Sequence, residues 1–212
     1  SDKFGISKDK NLIVVLVESF EWYSFITSDE YPNALGLTQE EIEYLLPNIT
    51  DFYKKSVVAT NFHSREKTDI SESLSIIGAY PTDAYINYDF PKNVVPFSVP
   101  AVMKLAYGED ITARYFHNGF GSFYNRDVSH VNTFGFDDFF DCYRMYEMGD
   151  TMYNWLGDGE RNLDSEMFET CKDYMFPRDE RFISYITTIT MHGMYYERES
   201  LKEHYKKLVN VL

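Results

Sequence analysis

Short apolar runs alternate along this chain with segments that have the spacing of amphipathic helices. Residues 11–17 (NLIVVLV) are rich in β-branched side chains, which predicts a strand buried on both faces of a parallel sheet. Further apolar runs predict strands over residues 57–62, 111–116 and 182–190. Strands that alternate with helices predict an α/β fold, with a mostly parallel central sheet flanked by helices.

Helix signals separate these predicted strands. Thr38 and Glu41 have the spacing of a capping box, which predicts a helix that runs to about Leu46, before Pro47. Further helices are predicted over residues 48–55, 71–77 (ended by Gly78), 100–107 and 197–212. Residues 1–10 are mostly polar and are expected to be a flexible lead-in, and the aromatic and acidic stretch 134–146 is expected to pack as an insert near the sheet edge.

Composition narrows the possible functions. The chain has 34 acidic and 20 basic residues and a formal net charge of −14, which repels phosphate backbones and predicts no nucleic-acid partner. The only cysteines are Cys142 and Cys171, so a four-cysteine zinc site is excluded, while spacing alone leaves open whether the two form a disulfide. No segment approaches the roughly 18 apolar residues that a membrane-spanning helix needs.

Polar residues directly after predicted strands are the candidates for chemistry, because active sites of such folds lie beyond the carboxyl ends of the strands. Glu18 follows the first strand, where its carboxylate is a suitable ligand for a hard divalent cation. The alternative is a glutamate that caps a loop or pairs with a surface cation.

A second candidate cluster lies around Thr68, between a predicted strand and a predicted helix. A threonine hydroxyl at a helix N-terminus can become a nucleophile if a metal lowers its pKa, and the neighbouring Lys67 could offset the charge of an oxyanion. The alternative is an ordinary helix N-cap.

The remaining candidates follow the third and fourth predicted strands. His117, Tyr124 and Arg126 lie in one glycine-rich loop, where Arg126 could bind phosphate and Tyr124 could contact a polyol, or where Arg126 could instead pair with a carboxylate. His192 follows the last predicted strand, where a structural histidine is the alternative. An acid, a hydroxyl, two histidines and basic residues at one sheet edge suit the transfer of a phosphoryl-type group at a metal.

An ordered series of motifs resembles the lipoteichoic acid synthase family, the phosphoglycerol transferase branch of the alkaline phosphatase/sulfatase superfamily. The motifs are NLIVVLVES (11–19), REKTD (65–69), FHNG (116–119), FYNRD (123–127), GFDDFFD (135–141) and ITMHG (189–193). The resemblance implies an alkaline phosphatase/sulfatase-like fold, with residues 11–212 forming part of a catalytic domain. That domain would lie outside a bacterial cell and be attached to the cell membrane through segments absent here.

The resemblance also implies an activity. Such enzymes move glycerol phosphate from phosphatidylglycerol to a growing polymer or a glycan, with Mn²⁺ or Mg²⁺ as cofactor. By the same resemblance, Glu18 and Thr68 are metal ligands, and Thr68 is also the nucleophile that carries a covalent intermediate. The residues assigned to substrate binding are Lys67, His117, Tyr124, Arg126 and His192.

Two departures from the family pattern alter this expectation. Glu66 stands where a glycine is familiar, and the adjacent Asp-His pair that supplies further metal ligands occurs nowhere in the sequence. We therefore expect a C-terminally truncated domain with an incomplete metal site, which binds metal poorly and is inactive by itself. The alternatives are a non-catalytic ectodomain that binds glycerophosphate polymers, and a related phosphodiesterase or sulfatase.

Overall fold

The computed structural model describes residues 5, 7–21, 33, 35–59, 62, 67–79, 94–149, 163–193 and 202–209. The chain forms two compact units. The first comprises Ser1–Glu18 and Arg65–His192, and the second comprises Ser19–Ser64 and Gly193–Leu212.

The first unit is built on a parallel sheet of four strands. The strands are β1 (Leu12–Leu16), β2 (Ile111–His117), β3 (Asp138–Phe140) and β4 (Arg181–Thr187), in the spatial order β1-β4-β2-β3. Leu16 of β1 and His117 of β2 both pair with Thr187 of β4, so these three strands end side by side. The predicted α/β fold with a mostly parallel sheet is confirmed.

Eight α-helices are described. They are α1 (Gln39–Leu45), α2 (Pro47–Lys54), α3 (Thr68–Ile77), α4 (Val99–Tyr107), α5 (Arg126–Asn132), α6 (Cys142–Glu147), α7 (Asp164–Met175) and α8 (Lys202–Val209). Helices α3 to α7 belong to the first unit, and α1, α2 and α8 belong to the second.

Helices cover both faces of the sheet because successive strand residues point to opposite sides. On one face, Ala113 and Tyr115 of β2 pack with Ile76 of α3 and with Phe134. On the other face, the buried cluster draws on β2, β3 and β4 and on helices α6 and α7, through Phe116, Phe140, Met145, Met167, Cys171, Met175 and Ile186. The sheet is therefore the middle layer of an α/β sandwich.

In the second unit, the helices predicted after Thr38 and over residues 48–55 are confirmed as α1 and α2, and Lys202–Val209 of the helix predicted over 197–212 forms α8. Thr38 caps α1, and Glu41 completes the capping box by accepting a hydrogen bond from the Thr38 backbone N–H at 2.7 Å. Lys54 of α2 pairs with Glu43 of α1 at 2.7 Å.

Some predictions about the elements are wrong. The strand predicted over residues 57–62 does not form at 57–59 or at Phe62, and the other two residues lie outside the described ones. Strand β1 is not buried on both faces, because Ile13 and Val15 are 46% and 44% exposed at the outermost position of the described sheet. The last strand ends at Thr187 rather than at Thr190.

Other elements were not predicted, or differ from the prediction. Segment 134–146 does lie at the sheet edge, but it contributes β3 and most of α6 rather than an insert. Helices α5 and α7 were not predicted. Cys142 and Cys171 are both buried and unbridged. Within the described ranges, no helix combines the length and the apolar character that a membrane crossing requires.

Candidate functional site

A cavity of about 520 Å³ lies in the first unit, where β1, β2 and β4 end. Its walls combine polar and aromatic side chains, which are Glu18, Thr68, His117, Phe120, Phe123, Tyr124, Arg126, Thr188, Ile189 and His192. Six of the seven candidate residues selected from the sequence line it. The seventh, Lys67, is the exposed N-cap residue of α3 and is not among the lining residues.

Glu18 and Thr68 lie in direct contact although fifty residues separate them. The Thr68 hydroxyl donates a hydrogen bond of 2.9 Å to Oε2 of Glu18. Thr68 is the first residue of α3 and Lys67 is its N-cap, so the Thr68 hydroxyl is not used as the helix cap. This excludes the N-cap interpretation of Thr68 and leaves its hydroxyl paired with a carboxylate at the cavity.

The backbone after β1 aims Glu18 toward the cavity. Its N–H donates to the Thr188 hydroxyl at 2.8 Å, and the Thr188 N–H donates to Leu16 O at 3.0 Å. Ser19, the next residue, has a φ of 52°, in the left-handed region that non-glycine residues rarely occupy. Thr188 therefore joins the end of β1 to the end of β4, and no pattern in the sequence indicates this role.

His117 is buried at the end of β2 with a fixed orientation. Its Nδ1 lies 3.1 Å from Thr187 O, which makes Nδ1–H the donor and Nε2 the nitrogen that can accept. Burial lowers the pKa of His117 to about 3, and the positive charge of Arg126 acts in the same direction. The imidazole is therefore neutral at pH 7. Gly119 packs closely on it, since a Cβ at that position would lie 2.5 Å from Nε2.

Arg126 begins α5 and is buried, with 2% of its surface exposed. Its Nε donates to both carboxylate oxygens of Glu72, at 3.1 and 3.0 Å. The carboxylate partner that the sequence left open is therefore Glu72, and Arg126 lines the cavity while it makes this pair. Glu72 was not among the candidates, because a single glutamate in a helix is usually solvent-exposed.

Tyr124 is held over Arg126 by an unusual backbone. Tyr124 and Asn125 have φ values of 60° and 53°, two consecutive non-glycine residues in the left-handed region. This turn places the Arg126 guanidinium carbon 5.0 Å from the centre of the Tyr124 ring, and the Phe123 ring lies 4.5 Å from that of Tyr124. Such strain is stored where surrounding contacts hold it, and functional sites are common places for it.

His192 lies in the loop after β4, which Asp164 clamps. The Asp164 carboxylate accepts from the N–H groups of Ile189 and Thr190, at 2.8 and 3.0 Å, and the Thr190 hydroxyl accepts from the Asp164 N–H at 2.7 Å. The His192 N–H donates to Ile189 O at 2.9 Å, which continues the turn. Asp164 is a second residue of the site that no sequence pattern indicates.

The oxygen donors of Glu18 and Thr68 are of the kind that Mn²⁺ and Mg²⁺ prefer. Each of these ions needs more than two ligands, even when oxygen atoms of a substrate are counted with those of the protein. In the part of the chain that the structure describes, no group of three His, Cys, Asp or Glu side chains could hold a metal. The site thus fits a divalent cation in the type of its ligands but not in their number.

Comparison with known proteins identifies the family. A sulfatase family model matches residues 10–211, so the chain belongs to the sulfatase family. It is 26% identical over 198 residues to the lipoteichoic acid synthase of Staphylococcus saprophyticus, covering 89% of this chain and 27% of that protein. It is 28% identical over 193 residues to the lipoteichoic acid synthase-like YvgJ of Bacillus subtilis, covering 90% of this chain and 28% of that protein. The resemblance to lipoteichoic acid synthases is confirmed, and the chain spans little more than a quarter of these curated relatives.

Solved structures share the fold. The lipoteichoic acid synthase LtaP from Listeria monocytogenes aligns with a TM-score of 0.65 and 22% identity, over 99% of this chain and 51% of that one. An alkaline phosphatase superfamily protein from Vibrio parahaemolyticus aligns with a TM-score of 0.64 and 17% identity, over 89% of this chain and 42% of that one. The phosphoglycerol transferase GacH of Streptococcus pyogenes, solved with sn-glycerol-1-phosphate, aligns with a TM-score of 0.56 and 13% identity, over 91% of this chain and 47% of that one.

Proposed function

We propose that this chain is part of a phosphoglycerol transferase that moves glycerol phosphate from phosphatidylglycerol to a cell-envelope polymer or glycan. The observation that carries the proposal is the Thr68 hydroxyl, which lies 2.9 Å from the Glu18 carboxylate in a cavity that Arg126 also lines. A hydroxyl beside a carboxylate and a guanidinium is a suitable arrangement for attack on a phosphodiester.

Thr68 acts as the nucleophile in the proposed reaction. Its Oγ1 forms a bond to phosphorus while the bond from phosphorus to the diacylglycerol oxygen breaks, and the proton lost by Thr68 is balanced by the one that diacylglycerol gains. A hydroxyl of the acceptor then attacks the same phosphorus, and Thr68 leaves and regains a proton. A bound Mn²⁺ or Mg²⁺, held by Glu18 and Thr68 together with further ligands, would lower the pKa of the Thr68 hydroxyl.

The other lining residues would position the substrate. Arg126 carries a positive charge and N–H donors for the phosphate oxygens. His117 is neutral and its Nδ1–H is already used, so Nε2 is an acceptor suited to a glycerol hydroxyl. The Tyr124 ring and His192 would wall the glycerol, and Lys67 would act through its charge near the start of α3.

The test is Thr68→Ala in the protein expressed from its complete reading frame, with fluorescent phosphatidylglycerol in vesicles. We expect diacylglycerol release to fall to background, and the glycerophosphoryl adduct on Thr68, detected by peptide mass spectrometry, to disappear. Thr112→Ala is a matched control, because the Thr112 hydroxyl also donates a hydrogen bond to a glutamate. Its partner is Glu180, at 3.3 Å, at the other end of the sheet. Undiminished release in Thr68→Ala would contradict the proposal.

A second function, binding of glycerophosphate polymers without catalysis, is favoured by one observation. The described residues supply two oxygen donors for a cation and no cluster of three. A binding protein would retain polymer affinity in Thr68→Ala and would show no diacylglycerol release in either form.

Because the described residues supply only two oxygen donors, we expect this chain by itself to bind Mn²⁺ weakly. Calorimetry measures this directly, and tight stoichiometric binding would contradict the expectation.

The proposed location is the outer face of a bacterial cell membrane, where phosphatidylglycerol is available. A plain phosphodiesterase would differ in that water, rather than a glycan or polymer hydroxyl, accepts the group. A sulfatase is disfavoured, because position 68 is a threonine rather than the cysteine or serine from which the sulfatase nucleophile is made.

A further inference from the structure

A buried carboxylate lies on α3 one turn beyond Thr68. Glu72 is four residues after Thr68, and its side chain has no exposed surface. Glutamate is almost never fully buried unless it is paired, because removing its charge from water is costly. The position of Glu72, on the same helix as the candidate nucleophile, therefore needs a physical explanation.

Three neighbouring side chains hydrogen-bond this carboxylate. Arg126 Nε donates to both oxygens, at 3.1 and 3.0 Å. The hydroxyls of Tyr115 and Thr187 lie 2.6 and 3.1 Å from the same oxygen, Oε1. His130 Nε2 is 3.8 Å from the other oxygen, too far for a hydrogen bond. The carboxylate is thus held by side chains of strands β2 and β4 and by Arg126 of α5.

The charge on Glu72 persists through neutral pH. Burial raises the pKa of Glu72, but the positive charge of Arg126 and the hydrogen bonds from Arg126 and Tyr115 outweigh burial and lower the pKa to about 2. Arg126 in turn is 2% exposed, and without Glu72 it would be an uncompensated buried cation.

The contacts of Arg126 leave little freedom to its guanidinium group. Nε is used by Glu72, Nη1 lies 3.4 Å from Phe123 O, and the Tyr124 ring centre is 5.0 Å from the guanidinium carbon. The hydrogen bonds of Nε fix the plane and the direction of the group. Among the described residues, the contact that the Nη end makes is the 3.4 Å one with Phe123 O, and we therefore consider this end as the donor to a ligand in the cavity that Arg126 lines.

We propose that Glu72 is a positioning residue, which holds the Arg126 guanidinium in one orientation so that its Nη end binds a phosphate group in the cavity. Thr187 extends this role to His117, because its hydroxyl contacts Glu72 while its carbonyl accepts from His117 Nδ1 at 3.1 Å. The role applies to any phosphate ligand that Arg126 binds, and it goes beyond the proposed transfer reaction.

The test measures binding of sn-glycerol 1-phosphate, and of inorganic phosphate as a second probe, by calorimetry on the protein expressed from its complete reading frame. Glu72→Gln keeps the size of the side chain and removes its charge, and Glu72→Asp keeps the charge on a shorter side chain. Glu180→Gln is the matched control, because Glu180 forms an ion pair with Arg114, before the start of β4 and away from the cavity.

We expect Glu72→Gln to weaken binding about tenfold or more, since a misplacement of about 1 Å in a positioned group can cost a hundredfold. Glu72→Asp should fall between Glu72→Gln and the unchanged protein, and Glu180→Gln should stay within about twofold of it. In an Arg126→Gln background, Glu72→Gln should have no further effect on binding. Binding within about twofold in Glu72→Gln, or an equal loss in both backgrounds, would overturn the proposal.

A second readout decides the matter if the Glu72 variants do not fold or if binding is too weak to measure. Nitrogen-15 NMR of the unchanged protein reports solvent exchange of the arginine Nε–H protons. The Arg126 Nε–H should exchange more slowly than that of Arg114, whose pair with Glu180 is at the surface. Equal exchange would overturn the proposal. If Thr68→Ala retained transfer, the proposed function would fail, while dependence of phosphate binding on Glu72 would still stand.

Discussion

Mild acid should destabilise this fold through two buried histidines. Burial lowers the pKa of His117 to about 3, and the positive charge of Arg126 adds to the effect. Burial also lowers the pKa of His130 to about 4, against the opposing influence of Glu72. Both values lie below the ordinary histidine pKa of 6.5. In mild acid, below that ordinary pKa, both rings are therefore neutral in the folded chain and become protonated on unfolding.

The sign and the size follow from proton linkage. Between the ordinary pKa and the lowered one, the unfolded chain binds more protons, so the free energy of unfolding falls as the pH falls. Each pH unit in that window corresponds to about 1.4 kcal/mol per group, so each histidine accounts for about 2 kcal/mol of lost stability between about pH 7 and pH 5. Burial raises the pKa of Asp164 and acts in the opposite direction.

The assay compares the unchanged chain with His130→Gln by urea unfolding at both pH values. The opposing effect of Asp164 is common to both proteins and cancels in the comparison. The loss of stability on acidification should be smaller in the variant by about 2 kcal/mol. Proton NMR of the imidazole rings should also show no titration of His117 or His130 down to about pH 5. An equal pH dependence in both proteins, or a midpoint above about pH 6 for either ring, would refute the reasoning.

Three further changes test the geometry around the cavity. Gly119→Ala should lower the free energy of unfolding by about 1–3 kcal/mol and weaken glycerol phosphate binding, because the new Cβ would lie 2.5 Å from His117 Nε2, and unchanged urea unfolding would contradict this. Asp164→Ala should speed hydrogen exchange of the Ile189 amide, which loses a 2.8 Å hydrogen bond, whereas unaltered exchange would show that the clamp is unimportant. Gly78→Ala should lower the free energy of unfolding, measured by thermal unfolding, by about 1 kcal/mol. The cause would be backbone strain alone, since φ is 68° and the added Cβ would meet no neighbouring atom within 4 Å, and a neutral result would contradict the left-handed helix end.

The location of the site could be predicted from the sequence because parallel strands end at one edge of a sheet. Glu18, His117 and His192 each follow an apolar run, and all three line the cavity. Their proximity follows from topology once the strands are known to be parallel, since Leu16, His117 and Thr187 lie in register. What the sequence could not supply was which of these side chains contact one another.

The sequence predicts Thr68 at the site for a partly wrong reason. The prediction relied on a strand over residues 57–62, and residues 57–59 form none. The start of α3 is what brings Thr68 to Glu18, with the rest of the helix packed on the sheet through Ile76. The helix is predicted from the sequence, although it begins at Thr68 rather than at residue 71. The element before it is not decided by three β-branched residues, because strand preference depends on what the side chains pack against.

Glu72 illustrates a limit that no pattern along the chain could overcome. In the segment TDISESLSII, a glutamate is indistinguishable from an ordinary solvent-exposed helix residue, and its partner Arg126 is 54 residues away. The same holds for Asp164 and its contacts with Ile189 and Thr190, which lie about 25 residues further along the chain. Periodicity reports which face of an element is apolar, but pairing between charges on different elements is settled only by tertiary packing.

The burial of the Glu72–Arg126 pair is itself an argument about function. Replacing a buried ion pair with well-packed apolar side chains is often neutral or stabilising, so stability alone gives little reason for such a pair beneath a cavity. A phosphate-binding arginine, however, has to be fixed in position before the ligand arrives if it is to bind without a large loss of side-chain entropy. A buried carboxylate that accepts from Nε of a cavity-lining arginine meets that requirement, and an apolar replacement could not.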